Sequence, residues 1–231
     1  MAIFNLQKNH YNQASISDGT TNYFQQEQSQ KQSLKMHKYI PALGFNNLVA
    51  NQHYLSFVQY FGNKAARDTT GHSLVSDYFE TIVNYDPWFT DAHIILSNAN
   101  SVYAGNPEQT VALMNQVLQS ISPEASTKTN VLWTSKGLDE LLFLGDTQAA
   151  EKSYKMAAIW AQKTPGDRTQ EIVTRNLQMA EFLATNPDTR EAQIRAWSMV
   201  LPNIKDEAHR QRVINKIETL KAELSNSTAK P

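Results

Sequence analysis

Lys136 and Asp139 are the charged residues whose spacing best suits a functional contact. They lie three residues apart in an otherwise apolar helical segment that runs from Trp133 to Phe143, so both side chains share one helix face. On a concave surface the pair would contact a partner peptide. On a solvated face it would form an ordinary ion pair worth at most about 0.5 kcal/mol. The pattern favours the ion pair, and the groove contact is the alternative that would carry function.

The six histidines are the other residues that could do chemistry. They share no spacing typical of a ligand set, so a metal site would require distant segments to converge. A helical-bundle enzyme or metal-binding protein could be built only from a set such as His53, His93 and Glu80. The sequence contains no phosphate-binding loop, no zinc-protease His-Glu-x-x-His, no Gly-x-Ser-x-Gly and no calcium loop. We therefore expect no cofactor, no metal and no enzymatic activity.

Composition narrows the class of partner. The 231 residues include no cysteine, which excludes disulfides, thiolate metal sites and iron–sulfur clusters. A net charge of −1 predicts no bulk electrostatic attraction to nucleic acid. No run of 18 or more apolar residues occurs, so no segment is predicted to span a bilayer. Eight glycines and eight prolines are too few for an all-β protein with many tight turns.

Three turn signals divide the second half of the chain into pairs of helices. Gly105, Gly145 and Asn186 lie 40 and 41 residues apart, each between two apolar helical patterns. No long segment alternates with a period of two, so we predict an all-α fold built from helical hairpins. A last helix from Asp206 to Leu224 has one apolar face and is expected to cap the stack.

The chain is predicted to have three parts. Residues 1–40 form a polar N-terminal arm that is flexible at first and helical from Asn22 to Lys38; residues 41–224 form the helical-repeat domain; residues 225–231 form a disordered tail. Within the domain, Leu43 to Phe61 carries apolar residues over a wide helical face, which predicts a well-buried helix. The polar stretch from Asn63 to Ser73 is predicted to be a loop.

Apolar residues on the helix before Gly105 provide a second candidate binding surface. Ile95 and Tyr103 are the members of this set that we assign to a peptide-binding groove, together with Lys136 and Asp139. The alternative is that Ile95 and Tyr103 belong to the core.

The segment around Gly145 resembles a tetratricopeptide repeat (TPR). Gly137, Ala150 and Ala157 stand where the two helices of such a hairpin approach closely, and Tyr154 stands where an aromatic ring fills the groove between hairpins. The first helix carries one residue more than the family pattern. The resemblance implies a right-handed α-solenoid of TPR-like hairpins.

A wider resemblance covers most of the chain and points to a group of TPR-like proteins from cyanobacteria. The stretches that carry it are Leu43–Ala50, Gln59–Gly62, Asp77–Glu80, Asp86–Phe89 and Asp139–Asp146. Members of this group usually have a hydrophobic N-terminal anchor, of which Ile3 and Phe4 would be the remnant after truncation or processing. The resemblance thus implies association with a thylakoid or plasma membrane.

These observations lead to one expected function and two alternatives. We expect a non-enzymatic scaffold that binds one or more proteins and assists the assembly or stability of a membrane protein complex. The first alternative is a permanent structural subunit whose N-terminal arm, Ile3 to Lys38, wraps a partner. The second is the helical-bundle enzyme or metal-binding protein described above.

Overall fold

The computed structural model describes residues 19–37 and 41–228. Within these ranges the chain forms eleven α-helices and no β-strand, which confirms the all-α prediction. None of the helices in the described part is both long enough and apolar enough to cross a bilayer. The helices are α1 (Gly19–His37), α2 (Asn46–Gly62), α3 (Lys64–Thr70), α4 (Val75–Tyr85), α5 (Thr90–Ile94), α6 (Pro107–Ser120), α7 (Thr129–Asp139), α8 (Thr147–Lys163), α9 (Thr169–Ala184), α10 (Arg190–Val200) and α11 (Glu207–Thr228).

Helix α4 is the centre of the N-terminal half. Phe79, Ile82 and Val83 on this helix are inaccessible to solvent and pack against α2 and α6. Helix α1 of the predicted arm docks on the same core through the buried Leu34, and the Tyr85 hydroxyl donates to the carbonyl oxygen of His37 (2.6 Å). The helical part of the arm therefore packs against its own chain. The flexible lead predicted before it falls outside the described residues.

Helix α3 lies where the sequence predicted a polar loop, so that prediction was wrong. The side chain of Asn63 accepts a hydrogen bond from the Ala66 amide (3.2 Å) and begins the helix, and Gly71 ends it at a φ of +74°. Its sequence has no apolar stripe to reveal it. What holds the helix in place is the burial of Arg67 against α1.

The three predicted turns all adopt the left-handed conformation. The φ angles of Gly105, Gly145 and Asn186 are +71°, +69° and +51°. In the first two turns the backbone is the same: Asn106 N donates to Asn100 O and Asp146 N donates to Glu140 O, each at 2.9 Å.

Each of these two turns is preceded by a π-helical segment. The segments are Ser97–Tyr103 and Glu140–Leu144. A π turn holds one residue more than an α turn, because its hydrogen bonds connect residues five apart. The π segments therefore place an additional residue in the first helix of each hairpin.

Helices pack differently in the three predicted pairs. The first hairpin contains α5, its π segment and α6; the second contains α7, its π segment and α8. In the third pair α9 packs mainly against α8, whereas α10 packs against α11 and against both π segments.

The C-terminal helix folds back onto the first hairpin. The His209 ring nitrogen lies 3.1 Å from the carbonyl oxygen of Gly105. In the turn before the helix, the side-chain amide of Asn203 donates to the carbonyl oxygen of Val102 (3.2 Å). Val213, Ile217 and Leu220 form the buried face of α11, which is the apolar face that the sequence predicted.

Helix α11 also extends further than expected. It runs through Thr228, so residues 225–228 are helical where a disordered tail was predicted, and residues 229–231 lie outside the described part. The reason is Arg190, whose guanidinium donates to the Glu223 carbonyl and to the Ser227 hydroxyl, both at 2.7 Å. These bonds satisfy acceptors in the last turns of the helix.

The turn at Gly145 should be sensitive to any side chain. An alanine at this position would have to keep the left-handed backbone, and its Cβ would lie 2.9 Å from the side-chain amide of Gln193. We therefore expect Gly145→Ala to lower the free energy of unfolding by about 1–2 kcal/mol or more. Gly166→Ala is the matched control, because nothing lies within 4 Å of its Cβ position. Urea denaturation of both variants checks this, and equal midpoints would contradict it.

Candidate functional site

Lys136 is buried and pairs with Glu140, not with Asp139. Its Nζ donates to Glu140 Oε1 (2.5 Å) and to Ser153 Oγ (3.0 Å), and the Ser153 hydroxyl donates to Glu140 Oε2 (2.6 Å). The prediction of a solvated ion pair between Lys136 and Asp139 is therefore wrong. Ser153 of α8 completes a closed set of three polar groups between the helices of the second hairpin, which we call the 136–140–153 cluster.

A groove between α7 and α8 opens beside this cluster. It encloses about 360 Å³ and is lined by Lys136, Trp133, Lys152, Met156 and Asn115, among others. Lys136 thus lies at the floor of a groove, but its ammonium group is already bound by Glu140 and Ser153.

Asp139 lies on the other side of α7, against the first hairpin. Only 1% of its surface is exposed, and its Oδ1 accepts a hydrogen bond from the Ser97 hydroxyl (3.0 Å). Its Oδ2 has no partner among the described residues. Burial raises the pKa of Asp139 to about 7, while the hydrogen bond from the Ser97 hydroxyl acts in the opposite direction. A partner on the surface could not reach this carboxyl group.

Ile95 and Tyr103 are half-buried at the edge of the core. The Tyr103 ring packs against Phe61 and His72 with centroids 5.1 and 5.3 Å apart, and Ile95 contacts the main core cluster. These are the surroundings expected from the alternative interpretation, in which both residues belong to the core. The four residues assigned to a groove are consequently not gathered on one surface.

The histidines in the described part of the chain do not converge on a metal site. Among residues 19–37 and 41–228, no three His, Asp or Glu side chains are placed so that they could hold a metal ion, so His53, His93 and Glu80 do not form the predicted set. His93 is inaccessible, with a ring nitrogen 3.1 Å from the carbonyl oxygen of Asp86. Burial lowers the pKa of His53 and His93 to about 4, so both rings are neutral at pH 7.

The first hairpin has a polar cluster at the position that corresponds to Glu140. Asn100 lies 40 residues before Glu140 and is inaccessible. Its Oδ1 accepts from the Ser76 hydroxyl (2.6 Å), and its Nδ2 donates to Thr110 Oγ1 (3.1 Å). Both hairpins therefore bury a polar side chain one turn before the left-handed residue, with an uncharged cluster in one and a charged cluster in the other.

An exposed apolar surface lies on α2, where the sequence predicted a well-buried helix. That prediction holds for one side only: Ala50, His53, Phe57 and Tyr60 are buried. On the other side Leu48 and Leu55 are 63% and 62% exposed, and Phe45 and Val58 are exposed as well. We call Phe45, Leu48, Leu55 and Val58 the α2 apolar face.

Removing the Lys136 ammonium group should strongly destabilise the fold. Lys136→Met leaves the Glu140 carboxylate buried without a cation, so we expect the free energy of unfolding to fall by about 3–5 kcal/mol. Lys152→Met, on the exposed rim of the same groove, should change it by no more than about 0.5 kcal/mol.

The double variant Lys136→Met/Glu140→Leu removes both charges and should recover part of this loss. Urea denaturation measures all three variants. A Lys136→Met variant as stable as Lys152→Met would show that the buried pair does not hold the hairpin.

The buried carboxyl group of Asp139 should make stability depend on pH. Its pKa rises from 3.8 to about 7 on folding, so its contribution to stability is complete below pH 3.8 and is lost as the pH rises through 7. An amide does not titrate. The free energy of unfolding of Asp139→Asn should therefore rise relative to that of the wild type by about 2–3 kcal/mol from pH 5 to pH 8.

Urea denaturation at both pH values measures this difference. Asp146→Asn is the control, because Asp146 is exposed and asparagine also caps helices well. The prediction fails if the two variants show the same change between pH 5 and pH 8.

Comparison of this chain with known proteins identifies no relative. The chain matches no protein-family model, no curated protein sequence and no solved structure.

Proposed function

We propose that this protein is a non-enzymatic scaffold that binds a partner protein through the α2 apolar face. The proposed architecture is a right-handed solenoid of TPR-like hairpins. The repetition of the turn geometry at Gly105 and Gly145, 40 residues apart, supports it. The resemblance to TPR-like proteins supplies the second part of the proposal, in which the partner belongs to a membrane protein complex.

The exposure of the α2 apolar face is the observation that carries the proposal. Leu48 and Leu55 lie two turns apart and each leaves more than three fifths of its surface in water. Phe45 and Val58 extend the same face towards the two ends of the helix. An exposed apolar strip of this kind marks an interaction surface more often than an isolated exposed leucine does.

The chemistry of α2 defines the partner. Residues 41–63 contain no Asp, Glu, Lys or Arg, so the face offers no ion pair to a charged surface. Leu48, Asn51, Leu55 and Val58 follow the spacing of alternate three and four residues along which helices pair. The matching partner surface is an uncharged helix with an apolar stripe, held by apolar contact and by amide hydrogen bonds to Asn51.

Site-specific photo-cross-linking tests this proposal. Benzoylphenylalanine at position 55 should cross-link one partner protein in a native extract, and the same group at position 177 should not. Leu177 is the matched control because it is a partly exposed leucine on α9. The partner, identified by mass spectrometry, is then purified for titration.

Leu48→Gln should weaken that purified complex about tenfold or more, since a buried leucine contributes about 1.5–3 kcal/mol. Leu177→Gln should leave the affinity unchanged. A cross-link to a second copy of this chain, equal labelling from both positions, or flotation of the pure protein with phosphatidylcholine vesicles would each contradict the proposal.

A further inference from the structure

A polar cleft separates α1 from α2 and does not belong to the surface proposed above. It encloses about 390 Å³, a volume typical of sites for small molecules. Its walls carry side-chain amides from both helices. The residues that matter for recognition are Gln26, Gln30, Gln52, Gln59, Tyr23 and Arg67.

Arg67 is a buried cation whose hydrogen-bonding capacity is not filled. It is 7% exposed, its Nη1 donates to the carbonyl oxygen of Gly71, and its guanidinium carbon lies 3.6 Å from the centre of the Tyr60 ring. Its Nε has no acceptor among the described residues. A buried N–H without an acceptor is costly, but this Nε is closed to solvent, so Arg67 contributes to the cleft through the rest of its guanidinium group.

Glu27 neutralises the charge of Arg67 at the same place. It is 8% exposed, and its Oε1 lies 3.7 Å from Arg67 Nη1. The same oxygen accepts from the Tyr60 hydroxyl (3.2 Å) and the Ser73 hydroxyl (2.5 Å). With one cation and one anion side by side, the floor of the cleft has no net charge that would select an ionic ligand.

We infer that this cleft is a binding site for an uncharged, hydroxyl-rich ligand of the mono- or disaccharide class. Each amide on the walls presents both a donor and an acceptor, which is the combination that a sugar hydroxyl also presents. The Arg67–Glu27 pair adds stronger, charge-assisted donors and acceptors at the floor. Tyr23 offers an aromatic surface against which the C–H groups of a sugar ring pack.

Saturation-transfer NMR with glucose, galactose, mannose, sucrose and trehalose tests this inference on the full chain. At least one of these sugars should receive saturation from the wild-type protein, and calorimetry should then give its dissociation constant. Absence of transfer to all five would overturn the inference.

The variants Gln26→Leu and Gln30→Leu identify the site of binding. Both residues are exposed on α1 and neither belongs to the α2 apolar face, so the cross-link from position 55 should persist in both. Each should weaken sugar binding at least tenfold. Gln119→Leu replaces an exposed glutamine on α6 and is the matched control, with unchanged affinity.

Arg67→Gln gives a second measurement at the floor of the cleft, interpreted only if its circular dichroism spectrum matches that of the wild type. It should abolish detectable sugar binding. Sugar binding that survives in Gln26→Leu, Gln30→Leu and a folded Arg67→Gln, or that falls equally in Gln119→Leu, would place the sugar elsewhere and overturn the inference.

Discussion

The 136–140–153 cluster is the interaction on which the second hairpin depends. Removing an ammonium and a carboxylate from water costs several kcal/mol for each ion unless every hydrogen-bonding group meets a partner. The hydrogen bonds among Lys136, Glu140 and Ser153 form only when α8 lies at one position along α7. Gly137 makes this approach possible, because a Cβ there would lie 3.2 Å from the Cβ of Ser153 and 3.1 Å from the Tyr154 ring. Small residues and buried charges thus specify the same packing.

Those features that depend on local backbone chemistry could be predicted from the sequence. Gly105, Gly145 and Asn186 mark left-handed turns because glycine and asparagine adopt positive φ at low cost. The pairing of Lys136 with Glu140 could also be predicted, because four residues is regular α-helical spacing. The burial of that pair could not be predicted, because it depends on α8, which packs against α7 from elsewhere in the sequence. The position of Asp139 could not be predicted either, because its partner Ser97 lies 42 residues earlier.

The predictions for helices α2 and α3 were wrong in opposite directions, for one reason. The pattern of α2 has enough apolar residues for a buried helix, and that of α3 has too few. Burial is decided by neighbours: α4 covers one side of α2 and leaves the other open, and the ion pair with Glu27 brings Arg67 of α3 inside. For the same reason the cleft between α1 and α2 has no signal in the sequence beyond the excess of glutamine in α1.

The contact between His209 and Gly105 joins helix α11 to the first hairpin. In an open array of repeats each unit touches only its neighbours, so the gain or loss of one unit changes a single interface. Here the last helix rests on the first hairpin, 104 residues away in sequence. The insertion or deletion of a hairpin would move α11 from that contact. The buried side chains of Ile204 and Val213 would then become exposed. Within the described residues, duplication of a hairpin would therefore break this contact, whereas an open array of repeats could absorb the same change.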